Sequence, residues 1–381
     1  MEKDRPKAWL ATKRRRGQVY SGAVAEQASR NPEPRKVDEF GAFDLLRFAL
    51  AATVALSHIG LIGWEQSGNL SVQVFFALSG WLIGSILYRT KPSELCRFYY
   101  NRSTRIWIPY FACVAVLYLV SAVHEPVRSS RWWEFLGYDL TFTHNWFSFT
   151  PDFNTAISQM PLNGTGNHFW SLAVEEQFYL VAPLIITLLP LGRSWVLWIV
   201  ISAICCLTAS EYGAISLGVL SAMVSGESPG WHRTFAWRAA SLVLLASSAG
   251  LIIVYPNLYP LLAPIFAVSA VLLCAEPIRR TEVTRWLGGV SFPFYLNAWI
   301  GVFVAHAVQK HYGLQETEWF KVFEFLSSLA AAALAYRLVD QVVMRRRDAV
   351  YRREIGWTFG ATGYVLILCG TLLWIVRWHH S

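Results

Sequence analysis

The sequence predicts an all-α protein: a polytopic transmembrane helical bundle of about ten or eleven spans. Three observations carry that reading. The residues AVILMFWYC make up 54% of the 381-residue chain and charged residues only 15%. A typical globular chain is about a quarter charged, so a soluble protein of this composition would lack the charges to cover its surface. The apolar residues fall in runs approaching the roughly 20 residues that cross a hydrocarbon core, and they do not alternate with period two as barrel strands would. Lys and Arg, finally, concentrate in every second loop between the runs, as the positive-inside rule requires. A disordered chain, a coiled coil, a disulfide scaffold and a secreted enzyme are excluded as descriptions of the whole.

The elements follow in order. Residues 1–40 are polar, with Lys13, Arg14, Arg15 and Arg16 in a row and Pro32 and Pro34 beyond. No apolar h-region follows the basic run, so the segment reads as a disordered basic cytoplasmic tail rather than a cleavable signal peptide. Apolar spans are then expected near 43–62, 70–88, 106–123, 176–191, 195–209, 211–226, 236–254, 258–275, 290–308, 320–342 and 357–376. With the amino terminus inside, the inner loops hold Arg89 to Arg105, Arg193, Arg233 to Arg238, Arg279 to Arg285 and Arg345 to Arg353. The outer loops near 64–69, 255–257 and 309–319 carry only Lys310 and, at the margin, Lys321. The expected layout is a tail (1–40), a transmembrane domain (41–343), and a basic cytoplasmic loop with an extra C-terminal helix (344–381). The formal charge of +8 is read as these loops, not as a nucleic-acid surface. The six cysteines show neither CxxC nor His/Cys metal spacing, so no metal site and no disulfide framework is expected.

One outer loop is long, 124–175, and contains Trp132, Trp133, Trp146, Phe147, Phe149, Phe153, Phe169 and Trp170. So many aromatics argue against disorder. Two readings stand: an interfacial aromatic belt, or a platform that stacks on sugar rings.

Ionisable groups inside a span are costly and mark candidate chemistry. The first span offers Asp44, Arg47 and His58. Eleven residues separate Arg47 from His58, about 20° of rotation and roughly 16 Å of rise, so one stripe carries a cation at one end and an imidazole at the other. Arg102 and Arg105 stand one turn apart where a helix begins; two guanidiniums on one face suit a polyanion such as the phosphates of coenzyme A, or simple positive-inside anchoring. Glu175 and Glu176, near Trp170 and Tyr179, either complement a helix dipole or bind a polar substrate. There is no P-loop, HExxH or HxxxxD motif.

Taken together, these segments resemble a family. Phe43-Asp-Leu-Leu-Arg47 followed by His58 resembles the arginine-x10-histidine first helix of the acyltransferase-3 family. Val74-Phe-Phe-Ala-Leu-Ser-Gly-Trp-Leu-Ile83 resembles its second helix, and Arg102-x-x-Arg105-Ile-x-x-Pro109 its RxxR-containing third. His168-Phe-Trp-Ser-Leu-Ala-Val-Glu175-Glu-Gln-Phe-Tyr179 is similar to its WSLxvExqFY signature, and Gly288 to Leu296 to its late G..SYplYL segment. The matches keep family order from about residue 40 to 340.

The resemblance implies an acyltransferase-3-like membrane O-acyltransferase in the bacterial cytoplasmic (inner) membrane. Its donor would be acyl-CoA, acetyl-CoA above all. Its acceptor would be a hydroxyl of a sugar-containing molecule: an exopolysaccharide, lipopolysaccharide or lipid-linked glycan. His58 becomes the expected general base and Glu175 a catalytic partner; Arg47, Arg102 and Arg105 hold the donor. Asp44, His168, Trp170, Tyr179 and Asn297 complete the expected substrate-binding set. Membrane lipid is an expected partner and nucleic acid is not. Two departures stand out: Asn297 where the family commonly has His, and Asp340-Gln-Val where it commonly has Glu-x-Pro. Asn297 keeps a donor and an acceptor but takes up no proton. Two rival readings are a proton-coupled transporter using His58, Asp44 and Glu175 as a relay, and an inactive membrane scaffold that binds glycan.

Overall fold

The computed structural model describes residues 41–124, 130–150 and 156–380; the expected tail, 1–40, lies outside them. The described residues are helical throughout, with short turns between, as the composition predicts. The helices are α1 (Gly41–His58), α2 (Gln66–Arg89), α3 (Leu95–His124), α4 (Ser130–Leu140), α5 (Phe169–Pro183), α6 (Trp195–Leu207), α7 (Gly213–Glu227), α8 (Phe235–Val254), α9 (Tyr259–Cys274), α10 (Glu282–Tyr312), α11 (Glu318–Ala335), α12 (Gln341–Val350) and α13 (Arg353–His380). Among the described residues, eight helical segments are long and apolar enough to cross a membrane, and α6 and α7 are shorter apolar helices. The remaining expected span, 43–62, corresponds to α1. Leu119, Leu242, Val243 and Leu368 stand exposed on helix flanks, a surface that hydrocarbon, not water, would cover.

Close packing sets the centre. α2 lies against α1, α7 and α9, and it approaches α7 so tightly that only glycine fits on either side. A Cβ at Gly80 would stand 2.1 Å from the Ile215 carbonyl oxygen, and one at Gly218 would stand 2.1 Å from that of Ala77. Small residues at such crossings let backbones meet where no hydrophobic force drives helices together in lipid. A second group packs α10 against α1 and α11, and a third packs α13 against α3.

The basic loops converge on one end. Arg280 pairs with Asp44 at 2.5 Å, Arg97 with Asp348 at 2.5 Å, and Arg238 with Glu276 at 2.5 Å. Arg193 donates to the Thr90 carbonyl at 2.6 Å. The expected alternation of charge is thus visible as one basic end.

Two helices begin earlier than hydropathy suggests. The expected spans 106–123 and 176–191 start at Leu95 and Phe169 instead. Hydropathy windows stop at charges, but Glu176 is buried, Arg102 and Glu175 are half-buried, and the exposed Arg105 lines a cavity between helices, so the helices run through them.

The described parts of the long loop between α3 and α5, 130–150 and 156–168, are folded, and Phe153 lies outside the described residues. Phe135, Tyr138, Phe147 and Met160 form a small core of their own, closed by Leu373 and Trp374 of α13. Trp132, Phe147 and Phe169 are buried, whereas Trp133 and Phe149 are exposed. Just before His168 the chain turns through Leu162 (φ 52°), Asn163 (φ 54°) and Gly164 (φ 90°), a left-handed run that a leucine seldom adopts.

Candidate active site

Where α1, α2, α3, α5 and α10 meet, they enclose a cavity of about 90 Å³. Its polar lining comes from Arg47 on α1, Ser79 on α2, Arg102 and Arg105 on α3, Ser171 and Glu175 on α5, and Ser291 and Tyr295 on α10; Phe75, Phe76 and Ile106 supply apolar wall. Sequence spacing explains the gathering on each helix. Arg102 and Arg105, and Ser171 and Glu175, are three and four residues apart and so share a face.

The balance of charge is the main feature. Arg102 rests its guanidinium 3.8 Å from the ring centroid of Tyr179, and its Nε is buried with no hydrogen-bond partner. Among the described residues, neither Arg102 nor Arg105 has a carboxylate oxygen within 4.0 Å. Arg47 reaches only Asp44, at 3.8 Å, and both Asp44 oxygens are already taken by Arg280, at 2.5 and 2.7 Å. Three guanidiniums therefore face one cavity in which Glu175 is the sole carboxylate among the described residues. That carboxylate is itself engaged: Oε1 accepts from the Ser79 hydroxyl and Oε2 from the Tyr179 hydroxyl, both at 2.7 Å. Arg47 and Arg102 are half-buried and Arg105 is exposed, and three cations gathered against one carboxylate offer a site to an anion.

Behind the cavity wall the polar chain continues. Ser171 Oγ and the Tyr295 hydroxyl lie 2.5 Å apart, and the Tyr295 hydroxyl donates to the His168 carbonyl at 3.1 Å. The His168 ring stands edge-on to Tyr295, centroids 5.7 Å apart. His168 Nδ1 lies 3.0 Å from the Thr165 carbonyl, which only an N–H can satisfy, and the ring's Nε2 is buried.

The expected residues divide accordingly. Arg47, Arg102, Arg105 and Glu175 line one cavity, and Tyr179 completes it through Glu175 and Arg102. His58 does not line it. It ends α1 at the far side from the basic end, exposed, in electrostatic range of His168. Asp44 is 2% exposed and anchors the α1 start to Arg280. Trp170 packs edge-on against Phe76, centroids 5.9 Å apart. Asn297 is buried and donates to the Pro293 carbonyl at 3.1 Å.

Sequence reasoning did not single out Ser79, Ser171 or Ser291. Ser79 lies within Phe75-Phe-Ala-Leu-Ser79, and its polar side chain in an otherwise apolar helix was the available signal. It also missed a buried carboxylate–imidazole hydrogen bond in the loop between α3 and α5. Asp139 Oδ1 meets His144 Nδ1 at 2.6 Å, and its Oδ2 accepts from the Tyr118 hydroxyl at 2.6 Å, with both Asp139 and His144 buried. No set of three or more metal-ligating side chains occurs among the described residues.

Comparison with known proteins bears on this geometry. The family model described as an acyltransferase domain, acyltransferase-3, matches residues 40–337. O-acetyltransferase OatA of Staphylococcus aureus is 33% identical over 132 residues, which cover 33% of this chain and 21% of OatA. The chain thus spans about a fifth of that relative's length. BcsY of Komagataeibacter xylinus, named as a membrane-bound transacylase, is 28% identical over 312 residues, 72% of this chain and 75% of BcsY. Nodulation protein 10 of Rhizobium leguminosarum bv. viciae is 25% identical over 368 residues, 82% of this chain and 95% of its own length. No solved structure matches the chain.

Proposed function

Because this chain belongs to the acyltransferase-3 family, we propose that it is an integral-membrane O-acyltransferase. It moves an acetyl or other short acyl group from acyl-CoA to a hydroxyl of a sugar-containing acceptor, such as an exopolysaccharide, lipopolysaccharide or lipid-linked glycan. The observation that carries the donor assignment is the set of three guanidiniums, Arg47, Arg102 and Arg105, that face one cavity whose described lining holds a single carboxylate, Glu175. Phosphate is the anion that guanidinium groups match best in geometry and charge. The names of OatA and BcsY, an O-acetyltransferase and a transacylase, support the reaction class.

The chemistry then divides along α1. The arginine end holds the donor phosphates, and in this reading it faces the cytoplasm of a bacterial cell, with the amino terminus on the same side of the inner membrane. His58 lies eleven residues from Arg47, roughly 16 Å along the helix, a separation suited to an extended pantetheine arm. There the imidazole takes the proton of the acceptor hydroxyl as its oxygen attacks the thioester carbonyl. The new C–O bond forms, the C–S bond breaks, and His58 returns the proton to the departing thiolate. Glu175 fixes Tyr179 beneath Arg102 and so orients the donor site. His168 stands beside His58, and the exposed rings of Trp133 and Phe149 in the outer loop offer stacking surface to the acceptor.

The test is thiol release from acetyl-CoA by purified protein in nanodiscs with a panel of glycan acceptors. Release that collapses in His58→Ala, together with donor binding that weakens in Arg102→Ala, is the expected result. Full turnover in His58→Ala would overturn the base assignment. Donor bound by wild type and Arg102→Ala alike would overturn the arginine site. Glycan binding without turnover of any donor would favour an inactive scaffold, and gradient-driven uptake without coenzyme A would favour a transporter.

A further inference from the structure

A second, larger recess of about 630 Å³ opens at the basic end of the bundle. Trp286 of α10 forms one wall. Ala333, Arg337, Gln341 and Arg345 form the other, each four residues from the next, so they line one stripe of the continuous helical segment 318–350. A π-helical turn, Tyr336–Asp340, sits in the middle of that stripe; such turns inside α-helices recur at functional sites.

The recess joins two kinds of surface. Among the described residues neither Arg337 nor Arg345 has a carboxylate oxygen within 4.0 Å, so both cations face it without a partner. Its lining includes Leu334, 58% accessible, and one helical turn on from it stands Leu338, 62% accessible. Trp286 is 44% accessible, with the amphipathic ring that favours the headgroup level of a bilayer. A soluble nucleotide would match the two guanidiniums but leave the leucines uncovered. An amphiphilic anion matches both, phosphate at the arginines and hydrocarbon along Leu334 and Leu338. Basic pockets between transmembrane helices at the cytoplasmic boundary bind lipid headgroups for the same reason.

We propose that this recess is a binding site for an anionic phospholipid from the leaflet at the basic end, with Arg337 and Arg345 on its phosphate and Trp286 at its glycerol level. The site is separate from the arginine cavity and holds whether or not the acyl-transfer reading does.

The test uses the full chain in phosphatidylcholine nanodiscs titrated with phosphatidylglycerol, with bound lipid counted by native mass spectrometry. Wild type is expected to retain phosphatidylglycerol against excess phosphatidylcholine. The Arg337→Gln/Arg345→Gln variant should bind it roughly ten- to thirty-fold more weakly, and Arg337→Lys/Arg345→Lys should keep most of the affinity. Equal retention by the glutamine variant would overturn the proposal. So would displacement of the lipid by coenzyme A, which would make the recess a nucleotide site. Should the glutamine variant fail to fold, salt titration of the wild type reads the same charges: retention must weaken as sodium chloride rises, and salt-independent retention overturns the assignment.

Discussion

The Tyr179 hydroxyl donates to Glu175 Oε2 at 2.7 Å, one turn along α5. The same ring lies 3.8 Å from the guanidinium carbon of Arg102. One side chain thus links Glu175, the sole carboxylate among the described residues of the cavity, to one of its three cations. The two contacts use different parts of the ring and separate by mutation.

Tyr179→Phe keeps the face under Arg102 and removes the hydrogen bond. A hydrogen bond to a charged group contributes about 1.5–3 kcal/mol, so turnover is expected to fall roughly ten- to hundred-fold with donor KM little changed. Tyr179→Leu removes the cation–π contact as well, about 0.5–2 kcal/mol, and should raise donor KM further. Steady-state kinetics with varied acetyl-CoA check both. Equal KM in the two variants would detach Arg102 from donor binding.

Arg280 holds Asp44 with two hydrogen bonds, at 2.5 and 2.7 Å. Asp44 is 2% exposed while the Arg280 side chain is 39% exposed. Arg280→Ala leaves a buried carboxylate with Arg47 alone at 3.8 Å. Breaking a fully buried pair costs about 3–5 kcal/mol; the exposure of Arg280 reduces that to roughly 1–3 kcal/mol through solvent screening. The expected outcome is a lower thermal unfolding midpoint in detergent. Part of that loss should return in Arg280→Ala/Asp44→Asn, which removes the stranded charge.

How much of this was legible in the chain follows from the range of each interaction. Span positions were readable because apolar run length reports membrane thickness directly. Arg47, Arg102, Arg105 and Glu175 were readable as costly charges in apolar helices, and all four line one cavity. Asp44 was readable as a charge but not as the partner of Arg280, because 236 residues separate the two and no local pattern encodes the pairing. His58 sat on the same stripe as Arg47 in the helical projection, yet it lies outside the cavity: a stripe fixes angle, and the 16 Å of rise takes it past the cavity's end. The role of α13 was illegible for the same reason as Arg280. Hydropathy identified an extra span beyond the family core, but not that Leu373 and Trp374 close the outer loop's core.

That closure is testable at Gly370. A Cβ there would stand 2.2 Å from Thr143 Oγ1 and 2.5 Å from Thr141 Oγ1, both in the turn after α4. Overpacking of this kind costs about 1–3 kcal/mol. Gly370→Val is expected to loosen α13 from the loop, visible as faster proteolysis within 130–175 and a lower unfolding midpoint. Unchanged proteolysis would show that the loop does not depend on α13.

The two imidazoles at the far end of α1 differ in a way kinetics can read. His168 Nδ1 lies 3.0 Å from the Thr165 carbonyl, and the Tyr295 hydroxyl donates to the His168 carbonyl, so this residue is fixed from both its ring and its backbone. Among the described residues His58 has no hydrogen-bond partner, and an untethered imidazole is free to bond an incoming hydroxyl. General-base catalysis contributes about 10²–10⁴-fold, so His58→Ala is expected to lower kcat by at least about a hundred-fold. Donor KM should hold, because His58 does not line the arginine cavity. His168→Ala should instead raise acceptor KM, since it removes a neighbour rather than the base, and His168→Gln, which keeps a donor and an acceptor, should recover part of it. The opposite pattern, with kcat lost in His168→Ala and retained in His58→Ala, would transfer the base to His168.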